Sequence, residues 1–266
     1  MKVGFLGPKG TFSYEICNKY YKNEIQKIEY KTITDCIIAL ESNQVNEVIV
    51  PIENSIQGCV TEALDNLIEY KDIKVKDESF LEIKQNLMSN RNCDLKDIKK
   101  VYSHPQALAQ CREFLIENSL LEKIISVEST GLAAQIVSNE NDCSACICNM
   151  SCLEEYNLKL LKSSIQDNDY NKTKFWILSK NENEKITKNK MSMIFSVKDK
   201  PGALYNVLKV FNKYELNLTK IESRPAKTVF GEYYFLIDVV IGNNNEDYAI
   251  NEILDNNIFV RILGKY

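Results

Sequence analysis

A chain of 266 residues has room for two domains, and at 44% hydrophobic and 26% charged it has an ordinary globular composition. Its net charge of -4 argues against nucleic acid as a partner, and no apolar run approaches the roughly 20 residues of a membrane span, so neither a nucleic-acid nor a membrane partner is expected. The opening Met1-Lys-Val-Gly-Phe-Leu-Gly-Pro8 reads as a strand and glycine turn with too short an apolar core for a signal peptide, which predicts a cytoplasmic protein.

In chain order, strand Lys2–Leu6 precedes helix Phe12–Lys22, and strand Lys27–Lys31 precedes helix Ile33–Glu41. Strand Glu47–Pro51 leads through a loop to helix Val60–Tyr70, and two extended segments follow, Ile73–Ile83 and Gln85–Ser89. Strand Lys99–Ser103 then pairs with helix Pro105–Glu117, strand Lys123–Ser126 with helix Leu132–Ser138, and strand Ser144–Cys148 with helix Ser151–Tyr156. This alternation predicts an α/β fold with mostly parallel sheets. The interruption at residues 73–89 predicts two α/β lobes with the chain crossing between them. A return near Leu158–Gln166 brings strand Lys174–Ser179 back to the first lobe, with a cleft between the two.

Asn181–Lys190 is polar except for Ile186 and reads as a linker. Beyond it the pattern becomes strand Met191–Val197, helix Ala203–Tyr214, strands Leu218–Ser223 and Val229–Ile241, helix Tyr248–Asp255 and strand Ile258–Leu263. That is the ferredoxin-like β-α-β-β-α-β order, in a size that suits a regulatory module. The expected domains are therefore 1–180, catalytic, and 191–266, regulatory.

Four turns rich in Ser, Thr, Gly and Asn follow strands in the first domain: Gly10–Ser13, Glu53–Ser55 with Gly58, Ser103–Gln106 and Ser129–Gly131. Each reads as a hydroxyl and free backbone N–H groups at a helix N-terminus, which favours anions. Singly, such a turn is an ordinary N-cap. Four at the carboxyl ends of strands lie where an open α/β sheet binds ligands, and together they suggest a small polyanionic substrate. The eight residues Asn168–Phe175 set a hydroxyl, an ammonium and an aromatic ring on Thr173, Lys174 and Phe175 at a strand mouth. Those groups suit holding a carboxylate, donating to a leaving hydroxyl and packing an unsaturated ring.

Other signals are weaker. Gly4-Phe-Leu-Gly7-Pro-Lys-Gly10 lacks the G-x-G-x-x-G spacing of a dinucleotide loop, and no G-x-x-x-x-G-K-[ST] loop exists. His104 is the only histidine, and Pro105 opens a helix straight after it, so capping or lining the cleft competes with proton transfer. The nine cysteines are scattered, odd in number and absent after Cys152, a poor disulfide framework. Cys143, Cys146, Cys148 and Cys152 read as apolar filler on a buried strand and the helix behind it, with only Cys146 and Cys148 pointing the same way, so no metal site is expected.

Gly7-Pro-Lys-Gly-Thr-Phe-Ser13, Pro51-Ile-Glu-Asn-Ser55 with Gly58 and Val60, Ser103-His-Pro-Gln-Ala107, Ser129-Thr130 with Ala133-Ala134, and Thr173-Lys-Phe175 together resemble prephenate dehydratases. Pro201-Gly-Ala-Leu-Tyr205 and Glu222-Ser-Arg-Pro225 resemble the ACT regulatory domain that these enzymes carry. The match covers nearly the whole chain. It implies a two-lobed, periplasmic-binding-protein-like α/β catalytic domain followed by a ferredoxin-like ACT domain. It also implies a monofunctional lyase of L-phenylalanine biosynthesis, since the dehydratase motifs begin at Gly7. Such an enzyme converts prephenate to phenylpyruvate, water and carbon dioxide, without cofactor or metal, under feedback inhibition by L-phenylalanine.

On this resemblance Thr173 is the catalytic residue, assisting departure of the hydroxyl, and Phe175 packs on the cyclohexadiene. Thr11, Phe12, Ser13, Asn54, Ser55, Ser103, His104, Gln106, Ser129 and Thr130 bind substrate, chiefly its carboxylates. Lys174 stands where the family has arginine. Lysine keeps the charge and loses the two-pronged fork. Affinity changes if the position binds substrate, and little changes if the side chain points behind the site. Gly202, Ala203, Leu204, Tyr205, Glu222, Ser223, Arg224 and Pro225 are the implied phenylalanine site, enclosed where paired modules meet in a homodimer or homotetramer. The alternatives are an arogenate dehydratase, favoured by an acidic group near the substrate's amino position, and a non-catalytic two-lobed binding or sensor protein.

Overall fold

Val3 and Phe5 are buried on strand β1 (Lys2–Leu6), which pairs in parallel with β2 (Gln26–Tyr30) on one side and β3 (Glu47–Asn54) on the other. Helices α1 (Phe12–Tyr20) and α2 (Ile33–Glu41) form the connections, capped by the side-chain oxygens of Thr11 and Thr32. This computed structural model describes residues 1–22, 25–181, 189–226, 232–242, 245–256 and 258–266. The linker expected at Asn181–Lys190 and the start of the strand expected at Val229–Ile241 fall largely outside them.

The strand β3 extends beyond the expected Pro51 and turns back into β4 (Gly58–Cys59), with Glu53 opposite Cys59. The turn Glu53–Ser55 therefore makes a hairpin rather than opening a helix. Asn54 Oδ1 accepts from the backbone N–H groups of Ile56 and Gln57, and Gly58 takes φ +79°, a left-handed conformation suited to glycine. Helix α3 (Thr61–Glu69) begins only after Val60.

The chain then runs through β5 (Lys74–Glu82) into β6 (Asn86–Ser89) of a second sheet. That sheet is completed by β7 (Lys100–Ser103), β8 (Ile124–Ser126), β9 (Ser144–Cys148) and β10 (Lys159–Lys162), before β11 (Lys172–Ser179) returns to the first. The strand orders are β2-β1-β3-β11-β5 and β10-β6-β9-β7-β8, so both expected crossings are present. The return contains β10, an edge strand antiparallel to β6, where a plain connection was expected. Its four residues Lys-Leu-Leu-Lys give too short a run to declare a strand.

Helix Pro105–Glu117 proves to be two: α4 (Pro105–Ala109) and α5 (Arg112–Glu117). The break has a distant cause. Asp167 accepts from the N–H groups of Arg112 and Glu113 with its two carboxylate oxygens, at 3.0 and 3.1 Å, and so caps a new helix start. Helices α6 (Thr130–Asn139) and α7 (Cys152–Glu155) complete this part.

The last sheet has order β13-β14-β12-β15 and comprises β12 (Lys190–Val197), β13 (Leu218–Pro225), β14 (Tyr233–Val240) and β15 (Phe259–Lys265), all antiparallel. With α8 (Ala203–Lys213) and α9 (Asn245–Asp255) it is the expected βαββαβ unit. Met191, Met193, Phe195, Val207, Phe211, Ile237 and Val239 fill its core.

The chain divides into two compact units, Met1–Ala63 with Ser79–Phe175, and Leu64–Glu78 with Trp176–Tyr266. Inside the second, Arg261 donates to the carbonyls of Leu67 and Tyr70, at 2.7 and 2.9 Å, at the end of α3. Arg224 grips Asp65 with two parallel bonds of 2.8 and 3.0 Å. Gly264 lies so close to Val75 that an added Cβ would stand 2.0 Å from its carbonyl oxygen.

One cysteine expectation is corrected. Cys93 and Cys143 form a disulfide with Cα atoms 6.2 Å apart. They flank β6 and β9, which are antiparallel neighbours with Ser89 opposite Ala145, a proximity that 50 residues of sequence conceal. Cys146 and Cys148 do point the same way, 3.7 Å apart, and Cys152 joins their buried cluster. Hydrogen bonding with Cys146 and Cys152, together with burial, pushes the Cys148 thiol well above its ordinary pKa, so it stays protonated. Among the described residues no three His, Cys, Asp or Glu side chains are grouped to hold a metal. No described helix is long and apolar enough to cross a membrane.

Candidate active site

A cavity of about 260 Å³ lies where the ends of β1, β3 and β11 meet α4 and the start of α6, all within the first compact unit. Thr11, Phe12, Ser13, Asn54, His104, Gln106, Ser129, Thr130, Thr173 and Phe175 line it, as the sequence led one to expect. Ser55, Ser103 and Lys174 do not. Ser55 instead ties β3 to the approach of β11, its hydroxyl donating to Tyr170 O and accepting from Lys172 N. Ser103 is fully buried and donates to Ile147 O at 2.6 Å.

Thr173 and Phe175 share one face of β11, two residues apart, and strand alternation turns the buried Lys174 to the other face. The arginine-to-lysine departure therefore sits behind the cavity wall. Lys174→Arg should change the substrate KM by less than about threefold, whereas Lys174→Ala should cost about 1–3 kcal/mol of stability, as for a typical buried-site change. Steady-state kinetics alongside thermal melts check both; a tenfold KM effect from the arginine would return this residue to the substrate.

Thr173 is organised by Asn54. The Asn54 amide nitrogen donates to Thr173 Oγ1 at 2.9 Å and to Asn171 Oδ1 at 2.7 Å. A threonine hydroxyl has one proton to give and two lone pairs. With a lone pair occupied by Asn54, the proton is left for a group in the cavity.

Two of the expected turns do open helices at the cavity. Thr11 Oγ1 accepts from Tyr14 N and Ser129 Oγ from Leu132 N, so the N-termini of α1 and α6 open at the cavity. Each such terminus carries about half a positive charge. No lysine or arginine is among the described lining residues; the ionisable side chains there are His104 and Glu128. His104 caps α4, its Nδ1 accepting from Gln106 N at 3.2 Å, and burial lowers its pKa, so the imidazole is neutral at neutral pH. It supplies no positive charge.

The first lobe's loop reaches across to the second. Gly10 O accepts from Asn149 Nδ2 at 2.8 Å and Lys9 O from Tyr156 Oη at 2.8 Å, while Lys9 Nζ pairs with Glu155.

Several lining residues escaped the sequence reading: Gln57, Gln85, Gln110 and Glu128. Asn171 also escaped it. Gln85 Nε2 donates to Gln110 Oε1 at 3.1 Å. Gln110 sits at the α4–α5 break, which only Asp167 explains, and a chain read as one continuous helix gives it no special place. Asn171 could have been suspected from its position two residues before Thr173.

The residues of the second proposed site take their places on the βαββαβ unit. Gly202 caps α8 with φ +80°, and Ala203, Leu204 and Tyr205 form the first turn. Glu222, Ser223, Arg224 and Pro225 end β13. Val197 and Pro225 both stand opposite Tyr233, so the two turns lie at one end of the sheet with β14 between them.

Comparison with known proteins agrees with this layout. The prephenate dehydratase family model matches residues 3–183 and the ACT domain model residues 192–247. A prephenate dehydratase of Methanocaldococcus jannaschii is 40% identical over 97% of this chain and 95% of its own. One of Lactococcus lactis subsp. cremoris is 35% identical over 100% of this chain and 97% of its own. The crystal structure of the Arthrobacter aurescens prephenate dehydratase with L-Phe superposes with a TM-score of 0.90 at 27% identity, covering 100% of this chain and 90% of that one.

Proposed function

Because this chain belongs to the prephenate dehydratase family, we propose that its cavity converts prephenate to phenylpyruvate. The observation that carries the reading is Thr173 on the cavity wall, its Oγ1 accepting from Asn54 so that its proton is free to donate, beside the ring of Phe175. In the reaction the bond from the ring to its carboxylate breaks and carbon dioxide leaves. The electron pair enters the ring as the bond to the para hydroxyl breaks, and the ring becomes aromatic. The hydroxyl takes up one proton and departs as water, so the prephenate dianion and a proton give the phenylpyruvate monoanion, carbon dioxide and water.

The chain's residues have limited work to do in so downhill a reaction. Thr173 donates a hydrogen bond to the departing oxygen; assistance of this kind is typically worth about 10²–10⁴-fold. Threonine is too weak an acid to give up its proton outright, so the proton that balances the reaction comes from solvent. The side-chain carboxylate is held by neutral donors at the starts of α1 and α6. The apolar wall of Phe175, Val60 and Ile83 receives the ring, where the ring carboxylate loses its charge more readily than in water. Phenylpyruvate formation from prephenate tests the reading; a folded protein with no turnover would sink it.

A second substrate is favoured by one observation. Glu128 is the only carboxylate among the described lining residues, and an acidic group suits an ammonium. Arogenate carries one where prephenate has its keto group, and relative turnover of the two substrates decides between them.

The residues of the C-terminal turns are proposed to bind L-phenylalanine between paired modules, in a dimer or tetramer. The ACT match and the Arthrobacter aurescens complex with L-Phe support this. Inhibition should reflect a coupling of about 1–3 kcal/mol. Gly202→Ala forces a side chain into φ +80° and should raise the phenylalanine concentration for half-inhibition at least about fivefold with turnover intact. Unchanged inhibition in that variant would remove Gly202 from the effector site.

A further inference from the structure

Gln85 is 2% exposed and lines the cavity, yet its Oε1 has no hydrogen-bond partner among the described residues. The same holds for Nε2 of Gln110, which lines the same wall. The two side chains are joined, Gln85 Nε2 donating to Gln110 Oε1 at 3.1 Å. If both amides were turned over, Gln110 would donate to Gln85, and the pair would still be left with one free donor and one free acceptor. The pair is also firmly placed. Gln85 N donates to Gln166 Oε1 at 3.0 Å, Gln85 O accepts from Ile165 N at 2.8 Å, and Gln110 O accepts from Asp167 N at 2.7 Å. All three bonds go to the short segment on which the chain returns to the first lobe.

A fixed pair with one donor and one acceptor is matched by a ligand group that can both accept and donate. Prephenate has two carboxylates and a keto oxygen, which only accept, and one hydroxyl, which does both. We propose that the Gln85–Gln110 amide pair recognises the para hydroxyl of the substrate, and that Gln85 is a specificity-determining residue that separates substrate from product. Thr173 and one amide N–H donate to the hydroxyl oxygen, and the hydroxyl proton is given to the remaining amide oxygen. Phenylpyruvate has lost the hydroxyl and leaves the buried pair unsatisfied. A site built to hydrogen-bond a hydroxyl discriminates strongly against an analogue without one. The pair thus favours entry of substrate and exit of product.

The proposal rests on prephenate as substrate, and the wild-type assay separates the two: a protein that does not turn over prephenate fails at that reading, before any variant is compared. Given turnover, Gln85→Leu and Gln85→Met in the full chain are measured for kcat/KM with prephenate and for the inhibition constant of phenylpyruvate, with melting curves to confirm folding. The expected result is a fall in kcat/KM of at least about tenfold, as for a lost discriminating hydrogen bond, with the phenylpyruvate constant unchanged or tighter, since the apolar side chain removes an amide that product leaves unsatisfied. Gln110→Leu should behave alike, and the Gln85→Leu/Gln110→Leu double variant should be no worse than the more impaired single, because the two amides act as one unit. A kcat/KM within about threefold of wild type overturns the proposal. So does a phenylpyruvate constant that weakens by the same factor as kcat/KM, since that marks a general distortion of the cavity.

Discussion

Thr173→Ala lowers kcat by at least about 10²-fold and leaves the fold in place. The hydroxyl is the one group on β11 that both faces the cavity and has a proton to give. Its loss removes that donor, but Asn54 keeps its bonds to Asn171 and to the backbone of Ile56 and Gln57, so the hairpin at the cavity mouth survives. The melting temperature should therefore move little, as for a net loss of about 1 kcal/mol. Thr173→Ser should retain much of the rate, and Thr173→Val, which matches the shape without the proton, should be as poor as alanine. A Thr173→Ala protein with near wild-type kcat would end the assignment.

Gly131→Ala is expected to harm both stability and activity. Gly131 stands in the first turn of α6, and a Cβ there would lie 2.4 Å from the carbonyl oxygen of Lys9. That oxygen belongs to the loop spanning from β1 to α1, which Asn149 and Tyr156 hold against the second lobe. The backbone cannot yield as a flexible side chain would, so the loop must shift away with Thr11 and Phe12 behind it. Overpacking of this kind typically costs about 1–3 kcal/mol. Because Thr11, Phe12 and Ser13 all line the cavity, kcat/KM should fall about tenfold or more, through displaced binding groups. Thermal melts and kinetics on the same preparation check both, and a variant with wild-type melting and rates would mean that the loop does not rest on α6 in solution.

Much of this was legible in the residues because the signals are local. A hydroxyl before an amphipathic run announces a cap, which is how Thr11 and Ser129 reveal helix starts at the cavity. Alternation on a strand puts Thr173 and Phe175 together and turns Lys174 away. What stayed hidden depends on distant partners. Asp167 splits a helical stretch whose own pattern is continuous, and that break gives Gln110 its position. Gln85 reads as one polar residue between two strands, and only the fold brings it to Gln110. Asn54 resembles a helix-opening turn residue, although its carbonyl oxygen closes a hairpin and its amide nitrogen orients Thr173. Cys93 and Cys143 meet only because β6 and β9 are neighbours.

The grip of Arg261 and Arg224 on Leu64–Glu78 bears on how the molecule comes apart. Native proteins open in cooperative pieces, and contacts define those pieces better than chain order does. The last turn of α3 has carbonyls with no partner of their own within the helix. Here a guanidinium from β15 takes up two carbonyls at that end, of Leu67 and Tyr70, and Gly264 packs on Val75. In amide exchange, Leu64–Glu78 should therefore open together with Trp176–Tyr266, while the strands that precede it remain protected. A chain ended near Asn181 would lose more than a sensor, because it would strip the end of α3 of its cap and bare the surface on which Gly264 had rested.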